Sequence, residues 1–134
     1  MIKKELVKGQ SIIEFIVLIG AMLFFFTLIL LAVNQKVDEK RYEDEDSKIR
    51  QIAILIQSEL ALARGATDGY YRTFYIPEKI NGFDYILTHD IDGNRISIKT
   101  ERISASYEIA NSLGTLKKGE NNITKINGIT YVNP

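Results

Sequence analysis

The chain has 134 residues, room for one domain and one appended element, and its 46% of hydrophobic residues are spread unevenly, with a greasy N-terminal third and a mixed remainder. Lys plus Arg and Asp plus Glu balance at 17 each, so there is no net field to attract nucleic acid or acidic lipid. The absence of cysteine excludes a disulfide framework, a thiolate nucleophile and a Cys-based zinc site.

The first nine residues carry Lys3, Lys4, Lys8 and Glu5. Removing them would leave 14 positive and 16 negative side chains, a mildly acidic product, so the positive charge belongs to this leader. From Phe15 to Val33 follow nineteen residues without a charge. At about 1.5 Å per residue such a helix roughly spans a ~30 Å hydrocarbon layer. Basic residues favour the cytoplasmic side, which places the N-terminus inside and the bulk of the chain outside. A secretory signal would have a shorter apolar run and a small-residue exit after it. Here the small residue, Gly9, precedes the run, in Lys8-Gly9-Gln10-Ser11-Ile12-Ile13-Glu14-Phe15. Glu14 abuts the span, and a carboxylate drawn unpaired into hydrocarbon is costly. A cut between Gly9 and Gln10 would free an α-amine four residues away, or offer it to Glu14 of a neighbouring copy.

The segment Lys8-Gly9-Gln10-Ser11-Ile12-Ile13-Glu14, followed at once by the apolar span, resembles the class III signal peptide of type IV pilin-like proteins, in particular archaeal pilins whose mature chain begins with Gln. The resemblance implies cleavage by a membrane prepilin peptidase on the cytoplasmic side, with Gly9 as the last leader residue, Gln10 as the first mature residue and Glu14 as the fifth-position glutamate. It also implies that the helix is retained, first as membrane anchor and then as filament core, in contact with other copies or related subunits.

Lys36 to Arg50 is a run of helix formers of mixed charge without Gly or Pro, so the helix is expected to continue beyond the span. Its acidic residues, Asp38, Glu39, Glu43, Asp44, Glu45 and Asp46, follow no ligand-loop spacing and read as a solvated face. Ile49, Ile52, Ala53, Ile56, Leu60 and Ala63 then recur at three- and four-residue steps, with Arg50, Gln51, Gln57 and Glu59 assigned to the other side. Arg64-Gly65 is the expected stop, with Gly65 left-handed. A helix over 10–64 would be some 80 Å long.

Beyond Gly65 the texture alternates, with β-branched residues and turn signals at short intervals. Strands are expected near Tyr70–Ile76, Phe83–Ile91, Arg95–Thr100, Ile103–Ile109, Asn122–Ile126 and Ile129–Val132. Asn81-Gly82, Asp92-Gly93-Asn94 and Asn127-Gly128 supply the turns. The runs Gly69-Tyr70-Tyr71-Arg72-Thr73-Phe74-Tyr75-Ile76-Pro77, Ile80-Asn81-Gly82 and Gly119-Glu120-Asn121-Asn122-Ile123 are similar to segments of the same archaeal family. The expected fold is α+β: a leader over 1–9, an N-terminal helix over 10–64 that is membrane-spanning at 15–33 and amphipathic later, and a β-rich unit over 65–134. That unit is an antiparallel sheet or small sandwich on which the helix packs.

Asp90 to Asn94 lacks the spacing of a calcium loop and reads as a hairpin turn. His89 is the only histidine and reads as a strand residue. Tyr70 and Phe74 would share one strand face, Tyr71 and Tyr75 the other, and core plus helix packing is favoured over a sticky or glycan-facing surface. Asn122-Ile123-Thr124 is a glycosylation sequon, plausible on an exposed segment. No convergent acid, base or nucleophile set is visible, so no enzyme activity, metal or cofactor is expected. Two readings remain: a processed subunit of a surface filament, used for adhesion or a related function, or an uncleaved single-span anchor for a binding module of the cell envelope.

Overall fold

The structure, a computed structural model, describes Ile2–Asp92 and Asn94–Pro134, with side chains from Gly9 onward. It is α+β: one long N-terminal helix, part of which packs on small antiparallel and mixed β-sheets. By packing the chain divides into two units, one ending at Arg41 and the other running Tyr42–Pro134. The division falls within the helix, because only its later turns share a core with the strands.

Helix α1 spans Ile2–Gly65. It begins before Gln10, contrary to the expected start, because the leader is itself made of good helix formers and Gly9 alone costs only about 1 kcal/mol. In the first unit the apolar side chains from Ile12 to Val33 keep 40–64% of their surface exposed, on every side of the helix. Thr27 lies in this run and donates its hydroxyl to the Leu23 carbonyl at 2.8 Å, so the polar group is satisfied inside the helix.

In the second unit Ile49, Ala53, Ile56, Leu60 and Ala63 are fully buried and Ile52 is 5% exposed, as their spacing predicts. Glu59 departs from its expected place on the solvent side. It is 6% exposed and lies with its Oε2 2.9 Å from Arg72 Nε, although no hydrogen bond reaches that oxygen. Side-chain class alone assigns a carboxylate to water. A guanidinium on the facing strand reverses the assignment.

The helix end is also built differently from expectation. Gly65 is the last helical residue, and the left-handed glycine is Gly69, at φ 88°. Ala66 N donates back to Leu62 O at 3.0 Å. Lys125 Nζ donates to Arg64 O at 2.7 Å and Ala66 O at 2.8 Å. A lysine from the sheet thus takes carbonyls that a left-handed glycine motif would otherwise satisfy.

The strands are β1 (Tyr71–Ile76), β2 (Lys79–Ile80), β3 (Phe83–Asp84), β4 (Ile86–Asp90), β5 (Arg95–Lys99), β6 (Ser104–Glu108), β7 (Leu113–Gly114), β8 (Gly119–Ile126) and β9 (Ile129–Val132). They form a four-stranded sheet in the order β1-β8-β9-β7, the hairpin β2-β3, and a three-stranded sheet β4-β5-β6. Asn81-Gly82 and Asn127-Gly128 both have positive φ, 51° and 82°, then 51° and 78°, and close the hairpins β2-β3 and β8-β9 as their composition predicts. The Asp92-Gly93-Asn94 turn joins β4 to β5, Gly93 itself lying outside the described residues.

Three differences follow from tertiary pairing. The expected strand Phe83–Ile91 is broken at Tyr85, which turns into the core at 3% exposure where the chain leaves β2 and joins β5. The two-residue strands β2 and β7 are too short for any periodicity to mark. And β7 pairs with β9 in parallel, Gly114 facing Val132, so the four-stranded sheet is mixed. The core gathers the helix face with Phe74, Ile76, Ile96, Ile98, Ile123 and Val132 from both larger sheets.

Candidate functional site

The expected processing residues lie on consecutive turns of α1. Gly9 is exposed, with open space where a side chain would begin. Gln10 and Glu14 are exposed and one helical turn apart, and Gln10 Nε2 donates to Glu14 Oε1 at 3.3 Å. A helix makes this contact because residues four apart share a face. In the uncut chain the carboxylate next to the apolar run is therefore met by a neutral amide. An α-ammonium released at Gln10 would add a charge on that same turn. The side chains of Lys3, Lys4 and Lys8, on which the charge asymmetry of the leader rests, lie outside the described residues, as does Met1.

Among the described residues one helix is long and apolar enough to cross a membrane, and it is the one that carries Gly9, Gln10 and Glu14. Among the described residues no further hydrogen bond or ion pair reaches the Gln10 and Glu14 side chains.

Asn122 is far from this group in sequence and belongs to the other unit. It is half-buried in β8, between β1 and β9. Its Oδ1 accepts from Thr73 Oγ1 at 3.0 Å, its backbone N–H donates to Asn133 Oδ1 at 2.9 Å, and its carbonyl accepts from Asn133 N at 2.8 Å. A polar triplet reads as surface in sequence. Here it is an interior strand with its side chain engaged.

The aromatic run is also redistributed. Phe74 is buried at 6% and Tyr70 packs against the core, but Tyr71 and Tyr75 are 65% and 57% exposed. The expectation that the whole cluster packs therefore holds for one face only. Alternation along β1 was the available signal, since a period of two by itself puts these pairs on opposite faces of the strand.

His89 is a strand residue, as expected. It is half-buried in β4, its Nδ1 accepts from Leu116 N at 3.4 Å, and burial pushes its imidazole below the ordinary value, opposed in part by Asp90. Burial likewise drives the Tyr85 phenol up to about 12, with a further contribution from Tyr75, and Tyr85 donates its hydroxyl to the Pro77 carbonyl. Both groups serve packing in their neutral forms. Among the described residues no three His, Asp or Glu side chains converge to hold a metal ion.

Compared with family models, curated proteins and solved structures, the chain matches none.

Proposed function

We propose that the chain is the precursor of a structural subunit of an archaeal type IV pilus-like surface filament, cut between Gly9 and Gln10 by a prepilin peptidase. The observation that carries this reading is the apolar helix. Its side chains from Ile12 to Val33 stay 40–64% exposed around the whole circumference, a surface that must be covered by lipid or by protein. Lipid would cover it in the membrane-anchored subunit, and neighbouring copies or related subunits would cover it in the filament. Gly9, Gln10 and Glu14 at its head match the order that a class III signal peptide requires. The β-rich unit would then be displayed outside the cell, with the leader on the cytoplasmic side. The role asks for no catalysis and no cofactor.

Intact mass and N-terminal sequencing of the membrane-extracted protein test the processing step. The expected mature chain begins at Gln10, and a chain that retains Met1–Gly9 would overturn the proposal. Glu14→Ala is expected to leave cleavage intact and to impair assembly, read as subunit that stays in the membrane fraction with few filaments by electron microscopy.

A second reading, an uncleaved single-span anchor for an envelope-bound module, draws support from the unbroken helix through Gly9. It predicts a retained leader and no filaments.

A further inference from the structure

The outer side of the four-stranded sheet takes no part in the core. Along β1, Phe74 and Ile76 turn inward while Tyr71, Thr73 and Tyr75 turn outward. The register sets Tyr71 beside Thr124, Thr124 beside Tyr131 and Tyr131 beside Leu113, so one row of side chains crosses the whole sheet. Thr73 Oγ1 lies 3.4 Å from the Tyr71 hydroxyl, two residues along the same strand and on the same face. The Tyr71 ring therefore reclines along the strand and, at 65% exposure, offers a flat side to solvent. Asn122 Oδ1 accepts from the same Thr73 hydroxyl at 3.0 Å, which places an amide at the edge of the platform.

We infer that this face binds neutral carbohydrate, with Tyr71 stacking on a pyranose ring and Thr73, Asn122 and Thr124 meeting its hydroxyls. Charge and side-chain chemistry select the ligand. Among the described residues that β1, β8, β9 and β7 turn outward, Glu120 is the one charged side chain, so the face has no complement for a polyanion or a charged peptide. Tyr71, Tyr75, Ile126, Ile129 and Leu113 are 65, 57, 50, 44 and 42% exposed. A pyranose, apolar on its C–H face and ringed with hydroxyls, fits an aromatic plane bordered by hydroxyl and amide groups. Tyr71 and Tyr75 stand four residues apart on one strand, about 13 Å, so a short oligosaccharide reaches both. The inference stands whether or not the leader is removed.

The test uses the full chain in lauryldimethylamine oxide micelles, which carry no sugar headgroup, with cellohexaose, chitohexaose and mannohexaose as probes in saturation-transfer NMR. Transfer is expected into the ring C–H protons of at least one probe. Tyr71→Ala is expected to weaken that binding by about fivefold or more, and Tyr71→Phe, which keeps the ring, to stay within about twofold. Should Tyr71→Ala lose its circular dichroism, Tyr75→Ala carries the same expectation. No transfer to any of the three probes at millimolar concentration would overturn the inference. So would equal binding by the alanine variants, or a concentration-dependent dimer that Tyr71→Ala abolishes, which would give the face to a second copy.

Discussion

A methyl group on Gly114 would run into the carbonyl of Val132, on the strand that lies parallel to it, and the backbone there sits at φ 102°. Two penalties coincide, a conformation that side chains avoid and a collision with main chain that has little room to move. Gly114→Ala should destabilise the second unit by about 2–3 kcal/mol. Gly128 has φ 78° but open space around its missing Cβ, so Gly128→Ala should cost about 1 kcal/mol, from strain alone. Thermal unfolding of both variants in the same detergent checks the difference. Equal losses would mean that the parallel pair β7-β9 is not as close as described.

His89 carries a pH dependence whose sign follows from its burial. Its folded value lies below the ordinary 6.5, so in the window beneath that pH the unfolded chain holds more protons than the folded one. The contribution is fully present at neutral pH and is lost as pH falls through 6.5 toward the lowered folded value. The unfolding midpoint should therefore drop between neutral and mildly acidic pH, and His89→Gln should flatten the drop. Because carboxylates add their own slope at lower pH, the quantity to compare is the difference between the two chains.

At the scale of elements, the join between helix and sheet rests on a few long side chains. Lys125 takes the carbonyls of Arg64 and Ala66, Gln57 Nε2 donates to Glu108 O at 2.7 Å, and Arg72 meets Glu59. Lys125→Met keeps the stem of the side chain and removes its charged donors. Hydrogen bonds from a charged group that also face the negative end of a helix should make this worth about 1–2 kcal/mol. Hydrogen exchange should quicken at the amides of the last helical turn and of Ala66, while the central turns around Ile56 keep their protection. Uniform loss across the second unit would instead make Lys125 part of a global core.

The helix face Ile49 to Ala63 was legible because a 3.6-residue period is written in side-chain class, and the hairpins at Asn81-Gly82 and Asn127-Gly128 because few residues tolerate positive φ. Glu59, Lys125 and the strands β2 and β7 were not, since each is decided by a partner distant in sequence. Arg72 draws Glu59 inward, and Val132 gives Gly114 its strand. Gln10 and Glu14 were legible as neighbours through their spacing of four. The half-burial of Asn122 was not legible, because a sequon records side-chain identity, whereas its surroundings are set by β1 and β9 on either side.

At the scale of the whole molecule, the decisive asymmetry is between residues 1–9, with three lysines and one glutamate, and residues 10–134, with 14 basic and 16 acidic side chains and nineteen uncharged residues near their start. If that asymmetry sets the orientation, Lys4 faces the cytoplasm and Glu101 the exterior. The absence of native cysteine makes this directly readable, because a single introduced thiol is the only target for a maleimide. In a Gly9→Val background, which should hold the precursor uncut, Glu101→Cys is expected to react with a membrane-impermeant maleimide in intact cells. Lys4→Cys should react only after the membrane is opened. With Gly9 restored, the Lys4→Cys label should vanish from the subunit, having left with the leader, while the Glu101→Cys label persists. Labelling of Lys4→Cys in intact cells would reverse the orientation. It would also place the Gly9-Gln10 bond out of reach of a cytoplasmic-side peptidase, so the processing proposal would fall with it.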